Sequence, residues 1–277
     1  HHLDDYDVLL SEINALCAAQ DIAIDTITSE LGRGQFEISF QPKTALITIA
    51  EDILIFKYMV KGLAKARGIR ASFMAKPLSN EAGCGLHVHA SLLDRAGQNL
   101  FHDEDAAGGL RLAQAVAGIL QMMQESTLIL APNSNSYRRL VPSSHAPTKI
   151  CWGHDNRTAS LRIPASSPAA RRLEYRSAGA DCNPYLLLAV MAGAMAQGFD
   201  EALVPPAAIS GNAYEQEIDD LPSEMGAAIG YFAASEAMKT LLGAPLHSYY
   251  LGTKRQEWQR FASHVSRFEF DSLSNNL

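Results

Sequence analysis

The segment from Arg138 to Arg176 concentrates positive charge. It holds eight lysines and arginines and only two carboxylates, whereas the whole chain has a formal net charge of −7. Cations crowded in this way repel each other unless anions lie among them. Arginine is also well suited to bidentate contact with phosphate and carboxylate oxygens. The chain must therefore fold so that this segment surrounds an anion, and we expect an anion-binding site here.

Alternation within this segment indicates how its charges are arranged. Arg172, Glu174 and Arg176 are separated by single residues in the run R-R-L-E-Y-R. If this run is a β-strand, the three side chains lie on one face of it, because successive side chains of a strand point to opposite faces. Two guanidinium groups beside one carboxylate are unusual on a sheet face, and this favours a functional site.

The bulk composition excludes several classes of protein. With 277 residues, of which 47% are hydrophobic, the chain can bury a substantial core in one large domain or two modest ones. A pI near 5.7 argues against nucleic acid as the main partner. The four cysteines match neither a zinc motif nor a disulfide framework, so we expect a reducing cytoplasm. Neither a membrane-spanning stretch nor a signal peptide is evident in the sequence, so no membrane partner is expected.

Apolar residues at helical spacing predict five helices, several of them with defined ends. Asn183 is suited to cap the third helix, with Pro184 at its first helical position. Ser223 is expected to cap the fourth helix and Gly243 to end it. The predicted helices cover residues 51–67, about 105–130, 184–203, 223–242 and about 246–265.

Short alternating runs between these helices predict strands at residues 22–27, 35–40, 72–74, 85–92, 160–163 and 172–176. Strands and helices do not alternate one for one, which disfavours a doubly wound parallel sheet. We therefore expect an α+β fold with a curved, mainly antiparallel sheet flanked by helices.

Glu30 and Glu37 flank the run L-G-R-G-Q-F. Seven positions apart, they would lie on opposite faces of a continuous strand, but Gly32 and Gly34 permit a turn that lets both carboxylates converge. Two exposed glutamates are the simpler interpretation, so the pair alone is weak evidence for a site.

His87, His89 and Ser91 alternate in G-C-G-L-H-V-H-A-S-L, so all three point to the same side of a strand. Imidazole is a common ligand of divalent ions, and the pair predicts either a metal site or two structural histidines; both interpretations stay open. Carboxylates with one imidazole would favour Mg²⁺ or Mn²⁺ over zinc.

Further arginines lie on the turn-rich segments N-S-Y-R-R-L-V-P and W-G-H-D-N-R-T-A-S-L-R-I-P. Each alone reads as a solvated surface arginine. Together with Arg172 and Arg176, they favour a polyanion such as a nucleoside triphosphate.

The order of the motifs resembles the catalytic domain of the glutamine synthetase family, from about Asp21 to the end of the chain. This family uses ATP to activate the γ-carboxylate of glutamate as γ-glutamyl phosphate, which an amine then attacks. The resemblance implies one catalytic domain over residues 1–277, with a helical part at about 204–277, and assembly into a homo-oligomer. The six motifs are E-L-G-R-G-Q-F-E, G-C-G-L-H-V-H-A-S-L, N-S-Y-R-R-L-V-P, N-R-T-A-S-L-R-I-P, A-R-R-L-E-Y-R and C-N-P-Y-L.

The resemblance also implies a role for each matching residue. Two divalent ions, Mg²⁺ or Mn²⁺, would be held by Glu30 with Glu37 and by His87 with Glu174. The ATP site would use His89, Ser91, Arg157, Arg162 and Arg172. The glutamate site would use Gly83, His87, Arg139 and Arg176. Catalysis would involve Arg139, His145 and Arg157.

The match is incomplete at its start. The family has an E-x-E pair upstream of Glu30, and residues 1–29 contain none. The family's small N-terminal domain is also missing from this sequence. We therefore expect the chain to be part of a longer protein and to be inactive or nearly so alone, which ATP-dependent amide synthesis by these 277 residues would contradict.

Two further departures concern the acceptor. His145 stands where ammonia-using members of the family carry a glutamate, and an imidazole attracts ammonium less well. Ala82 stands where glutamine-forming members have an asparagine. The sequence leaves ammonia and a larger amine both open, and these positions suggest a γ-glutamylamide ligase for a polyamine or another alkylamine.

The sequence also suggests two interpretations from other classes of protein. A non-catalytic structural or sensing protein is disfavoured, because buried charges are costly to keep without ligands. A metal hydrolase built on the H-x-H strand would explain the histidines and leave the arginines without a role.

Overall fold

The computed structural model describes residues 2–103 and 109–274, and it places the elements around two large hydrophobic clusters. The helices are α1 (His2–Asp5), α2 (Asp7–Ala18), α3 (Leu46–Ala66), α4 (Leu110–Leu130), α5 (Pro184–Asp200), α6 (Met225–Ala234), α7 (Glu236–Leu242), α8 (Ala244–Ala262) and α9 (Arg267–Leu273). The strands are β1 (Ile24–Ser29), β2 (Phe36–Phe40), β3 (Val88–Ala90), β4 (Trp152–His154), β5 (Leu161–Ile163) and β6 (Leu173–Tyr175).

Four short strands form one sheet in the order β3-β6-β5-β4. β6 is antiparallel to both of its neighbours, whereas β4 runs parallel to β5. Glu174 on β6 lies directly opposite His89 on β3 and Arg162 on β5. The register therefore brings one carboxylate, one imidazole and one guanidinium together at the middle of the sheet.

The other face of β6 builds the main core. Leu173 and Tyr175 are fully buried in the larger cluster with residues of α4, α5 and α6, so they anchor the strand while the alternating charged residues point away. This burial fixes the position of the charged face of β6, which carries Arg172, Glu174 and Arg176. A one-residue shift in the register of the strand would move these charges into the core.

A separate hairpin of β1 and β2 carries the two glutamates. Its apolar side packs with Leu10 and Ile13 of α2 and Phe56 of α3 in the second cluster. Gly34 has a φ of 64°, which allows the tight turn between the strands, and the backbone N–H of Glu30 donates to the carbonyl of Gln35. The predicted turn between Glu30 and Glu37 is confirmed.

The α+β prediction with mainly antiparallel strands is confirmed, and several boundaries differ. The Asn183 side chain caps α5 with Pro184 at the helix start, as predicted. Ser223 was wrong as a cap, since α6 begins at Met225 without a side-chain cap, and Ser235 separates α6 from α7 and caps the latter. The expected start of the second helix, at residues 105–108, lies outside the described residues.

Other differences follow from tertiary packing. Residues 72–74 form no strand, and residues 204–224 of the predicted helical part contain only a short 3-10 turn at Ala213–Glu215. That segment instead runs beside the sheet, where Ile209 and Leu221 donate backbone hydrogen bonds to Trp152 and Thr148. α1, α2, β4 and α9 were not predicted from the sequence. Within the described ranges, no helix is long and apolar enough to cross a bilayer.

Candidate active site

Glu174 is the centre of the charged face. It is only 3% exposed, and its carboxylate accepts from Arg176 at 2.6 Å and from Arg162 at 3.0 Å. Burial by itself would raise the pKa of Glu174, but Arg176, the two histidines and Arg162 outweigh it and hold the pKa below its ordinary value. Glu174 is therefore ionised and charge-balanced by its own chain.

Two histidines lie beside this carboxylate: His89 in β3 and His87, which directly precedes that strand. The distance from Glu174 Oε1 is 3.5 Å to His87 Nδ1 and 3.8 Å to His89 Nε2. Burial, followed by Arg176 and Arg139, lowers the pKa of His87 to about 3. His87 is consequently neutral at physiological pH, which is the form that ligates a cation.

His89 is held from the other side by Arg172. The Nε of Arg172 donates to His89 Nδ1 at 3.2 Å, so Nδ1 is the accepting nitrogen of the ring. Burial lowers the pKa of His89, and Glu174 opposes that shift. Arg172, Glu174 and Arg176 thus meet one cluster on one face of β6, as the alternation predicted.

Arg139 is buried to 3% exposure without forming an ion pair within the described residues. Its Nη1 and Nη2 donate to the main-chain carbonyls of Ser177 and Arg176, at 2.9 and 3.0 Å. Burial lowers the pKa of Arg139 to about 10, and it remains cationic at neutral pH. A buried guanidinium with only neutral hydrogen-bond partners is well placed to receive a carboxylate from a ligand.

Two glycines make room for this guanidinium. A Cβ on Gly83 would lie 2.8 Å from Arg139 Cγ and 2.8 Å from the carbonyl of Ala75. A Cβ on Gly85 would lie 2.7 Å from Arg139 Nη2 and 3.0 Å from His87 Nε2. The G-C-G run is therefore required by close packing against Arg139, a reason that the sequence did not reveal.

The β1–β2 hairpin brings a further carboxylate, Glu37, within electrostatic reach of Glu174. Glu37 is exposed, and its pKa is raised first by partial loss of hydration and then by Glu30 and Glu174, while Arg157 and Arg176 oppose the rise. Each of these groups therefore lies within electrostatic reach of Glu37, which connects the hairpin with the charged face of the sheet.

Gln35 joins the β1–β2 hairpin to the glycine loop, which is the G-C-G run at residues 83–85. Its Nε2 donates to the carbonyl of Gly83 at 3.0 Å, and its Oε1 accepts from the N–H of Gly32 at 2.9 Å. The sequence predicts Gln35 only as the first residue of a strand, whereas β2 begins one residue later, at Phe36. The separation of 48 residues between Gln35 and Gly83 gives no local sequence signal for this contact.

The donor types fit divalent ions such as Mg²⁺. Glu30, Glu37 and Glu174 supply carboxylates and His87 a neutral imidazole, and a cation would offset both the loss of hydration and the neighbouring carboxylates that raise the pKa of Glu37. Across residues 2–103 and 109–274, no three such side chains lie close enough to hold an ion by themselves. Mg²⁺ typically uses one or two protein carboxylates and completes its shell with water and substrate phosphates, so paired donors suffice in type.

Three of the expected site residues lie outside the group of side chains that contact Glu174. Arg157 is exposed, and it is one of the two arginines that oppose the rise in the pKa of Glu37. Ser91 and His145 are exposed, and neither forms a hydrogen bond or an ion pair with another described residue. His145 lies in a turn where Ser143 and His145 both have positive φ, and the Ser144 hydroxyl donates to the Arg139 carbonyl at 2.6 Å. This turn therefore begins at the buried arginine.

Asp155 is another residue that sequence reasoning missed. Its Oδ1 accepts from Arg162 Nη2 at 3.0 Å and from the N–H of Ala165 at 2.9 Å. Its backbone has a φ of 47°, a conformation that Asp adopts more readily than most residues. Asp155 and Glu174 together fix both ends of the Arg162 guanidinium.

Comparison with known proteins gives a consistent result. The family model described as the catalytic domain of glutamine synthetase matches residues 1–273. γ-Glutamylputrescine synthetase PuuA from Escherichia coli (strain K12) is 34% identical over 275 residues, which is 99% of this chain and 58% of that protein. Glutamine synthetase from Clostridium saccharobutylicum is 37% identical over 262 residues, covering 91% of this chain and 59% of that protein.

Solved structures agree with these relatives. The structure of GmaS without ligand has a TM-score of 0.89 and 28% identity, covering 98% of this chain and 63% of that one. A complex of GmaS with ADP has a TM-score of 0.89 and 27% identity, covering 99% of this chain and 65% of that one. The chain spans less than two thirds of the length of these relatives and structures.

Proposed function

The chain belongs to the glutamine synthetase family, and from this premise we propose that it carries the catalytic site of an ATP-dependent ligase. The reaction joins the γ-carboxylate of glutamate to an amine through γ-glutamyl phosphate. The observation that carries this proposal is the buried Arg139, which forms no ion pair with a carboxylate of the described residues and lies near His87, a residue that we assign to a cation.

The charged face provides for two kinds of ligand. Arg139 and Arg176 are assigned to the glutamate carboxylates, with Gly83 offering its backbone. The nucleotide is assigned to His89, Ser91, Arg157, Arg162 and Arg172. The structure of GmaS with ADP supports a nucleotide site in this fold. Guanidinium groups suit both tasks because their donors match carboxylate and phosphate oxygens in pairs.

Glu30 with Glu37, and His87 with Glu174, are assigned to two divalent ions. Such ions, when bound, neutralise the charge of phosphate oxygens during phosphoryl transfer. The neutral His87 and the ionised Glu174 are already in the protonation states that this role requires. Glu174 would exchange part of its contact with the arginines for contact with the ion, which frees their donors for the anionic substrates.

We assign an alkylamine, in preference to ammonia, as the acceptor. His145 lies in the turn that follows Arg139 and offers no negative charge to attract ammonium. Ala82 likewise replaces a polar side chain with an apolar one beside Gly83. PuuA, a relative that matches nearly the whole chain, is named for γ-glutamylputrescine synthesis, whereas other relatives are glutamine synthetases.

The other interpretations explain less. The comparisons give no support to a non-catalytic role, because the named relatives are ligases. A hydrolase using His87 and His89 would leave Arg139 and the remaining arginines without a purpose. We also assign the family's homo-oligomeric assembly to the complete gene product.

The test measures phosphate release by the complete gene product with ATP, Mg²⁺ and glutamate, and with ammonium, methylamine or putrescine as acceptor. We expect an amine to give the highest kcat/KM. His145→Glu should shift the preference toward ammonium, whereas His264→Glu, an exposed histidine near the start of α9, should leave it unchanged.

A clear preference of the unmodified enzyme for ammonium would remove the alkylamine assignment and keep the ligase. If no acceptor stimulates phosphate release, and calorimetry shows that neither ATP with Mg²⁺ nor glutamate binds, the ligase proposal itself is wrong.

A further inference from the structure

The loop from Ala178 to Asn183 connects three parts of the molecule. The N–H of Gly179 donates to Leu130 at the end of α4, and the N–H of Ala180 donates to Cys84 in the glycine loop. Lys57 of α3 donates from its Nζ to the carbonyls of Ala180, at 2.6 Å, and Cys182, at 3.3 Å. This loop is therefore held firmly from several sides, and Asp181 lies at its middle.

The Asp181 side chain reaches the segment that precedes Arg139. Its Oδ2 accepts from Asn133 Nδ2 at 2.8 Å and from the Ser136 hydroxyl at 2.7 Å. Ser136 continues this connection, because its carbonyl accepts from the backbone N–H of Arg139 at 3.1 Å. One carboxylate oxygen thus fixes the turn from which the Arg139 side chain departs.

Asp181 is also the charge that best balances Arg139. Among the nearby charges that favour its cationic form, Asp181 has the largest effect on the Arg139 guanidinium, and it also acts on Lys57. The second oxygen, Oδ1, is buried and accepts no hydrogen bond from any described side chain or backbone group. The carboxylate therefore keeps a negative charge near the two cations while only one oxygen is used for hydrogen bonding.

We propose that Asp181 is a positioning residue for glutamate binding: through Asn133 and Ser136 it fixes the turn that carries Arg139, and its charge keeps the buried guanidinium in place before the substrate arrives. This inference rests on the proposed function. It assigns to Asp181 no contact with substrate, and it predicts that the glutamate site is affected and the nucleotide site is not.

The geometry separates the two contributions of Asp181. Asp181→Asn keeps an oxygen that can accept the two hydrogen bonds but removes the charge, whereas Asp181→Ala removes both. Ser136→Ala keeps the charge and removes one hydrogen bond. Asp220→Asn is the matched control, because Asp220 is an exposed aspartate that pairs with Lys149 away from this loop.

The experiment determines KM for glutamate and for ATP, together with kcat, for the complete gene product and each variant. We expect Asp181→Asn to raise the KM for glutamate about tenfold, since a hydrogen-bonded charge is typically worth this factor, and to leave the KM for ATP within about twofold. Asp181→Ala should have a larger effect. The effects of Asp181→Ala and Ser136→Ala should not add, because both remove the hydrogen bond between the Ser136 hydroxyl and Asp181.

An unchanged KM for glutamate in a folded Asp181→Asn variant would overturn the inference, and so would a parallel loss of affinity for glutamate and ATP with a lower Tm. If Asp181→Asn does not fold, the milder Ser136→Ala tests the hydrogen-bonding contribution by itself, and an unchanged KM for glutamate in that variant would overturn the inference. Failure of the proposed function would show as no glutamate binding by the unmodified protein, which is a separate result.

Discussion

Glu174 on the four-stranded sheet and Glu37 on the β1–β2 hairpin lie within electrostatic reach of each other, yet their pKa values move in opposite directions. Glu174 is buried but paired with Arg162 and Arg176, and these cations outweigh the cost of burial. For Glu37, partial loss of hydration raises the pKa most, and the neighbouring carboxylates of Glu30 and Glu174 raise it further.

The difference separates a balanced region from an unbalanced one. On the sheet, the chain supplies both signs of charge, so the site for anions exists before any ligand binds. On the hairpin, Glu30 and Glu174 add to the cost that partial loss of hydration already places on an ionised Glu37, and a bound cation would offset both. We therefore expect the hairpin to be the part of the site that responds to a metal ion, whereas the fold itself determines the sheet.

The largest expected effect is on the buried carboxylate. Glu174→Gln should lower the free energy of unfolding by roughly 3–5 kcal/mol, because it leaves two arginines without their buried partner. Glu37→Gln, the matched change on the hairpin, should be within about 0.5 kcal/mol of the unmodified protein, or slightly stabilising. Urea unfolding in buffer with EDTA measures both.

Equal destabilisation by these two substitutions would contradict the distinction between the regions. A loss from Glu174→Gln below about 1 kcal/mol, as for an exposed ion pair, would show that the sheet face is more hydrated than its burial indicates.

The second effect concerns the space beside Arg139. Gly83→Ala should cost about 1–3 kcal/mol of stability and weaken glutamate binding, because the new methyl group would lie 2.8 Å from Arg139 Cγ and from the Ala75 carbonyl. Gly62→Ala in α3 is the control, since nothing lies within 4 Å of its Cβ position. That change should stabilise the helix by about 0.5–1 kcal/mol.

Thermal unfolding and calorimetric titration with glutamate measure these outcomes. If Gly83→Ala binds glutamate as tightly as the unmodified protein, the packing of Gly83 against Arg139 does not matter for the substrate.

The same contrast explains what the sequence could predict. The charged face of β6 follows from strict alternation, and the α5 cap follows from Asn183 and Pro184, because both signals are local. The fourth predicted helix is in fact two helices, because the Ser235 side chain caps a new helix, α7. The spacing of apolar residues does not show such a break. The segment at 204–224 runs beside the sheet as a result of contacts with distant strands.

Site residues divide in a similar way. The histidines and arginines were predicted as site residues because their types and spacing suggest chemistry. Gln35 and Asp181 were missed because their roles depend on contacts with residues 45 to 48 positions away. Hydrogen-bond partners that orient a site across the fold carry little local signal, so the tertiary structure is needed to find them.

The third prediction tests the dependence of the hairpin on a cation. Mg²⁺ at ten times its Kd should stabilise the unmodified protein by about 1.4 kcal/mol, by binding only the folded state. Glu37→Gln should lose most of this gain because it removes one of the paired carboxylates. Asp220→Asn, which changes an exposed aspartate elsewhere, should keep it. Thermal unfolding at increasing Mg²⁺ concentration shows the difference, and an equal gain in all three proteins would assign the ion to another site.

The smallest effect is a pH dependence with opposite signs in the two regions. The raised pKa of Glu37 means that its contribution to stability is present below its ordinary value of 4.5 and is lost as the pH rises through the folded-state pKa. Glu174, with a lowered pKa, contributes stability that is present above its ordinary pKa of 4.5 and is lost as the pH falls through its folded-state pKa.

Comparing Glu37→Gln with the unmodified protein isolates the contribution of Glu37. In EDTA, the stability of the variant relative to the unmodified protein should increase between pH 4 and pH 7 by less than about 1 kcal/mol, because water screens an exposed group. A relative stability that decreases over this range would mean that Glu37 is balanced by the arginines, and the hairpin would then not need a cation.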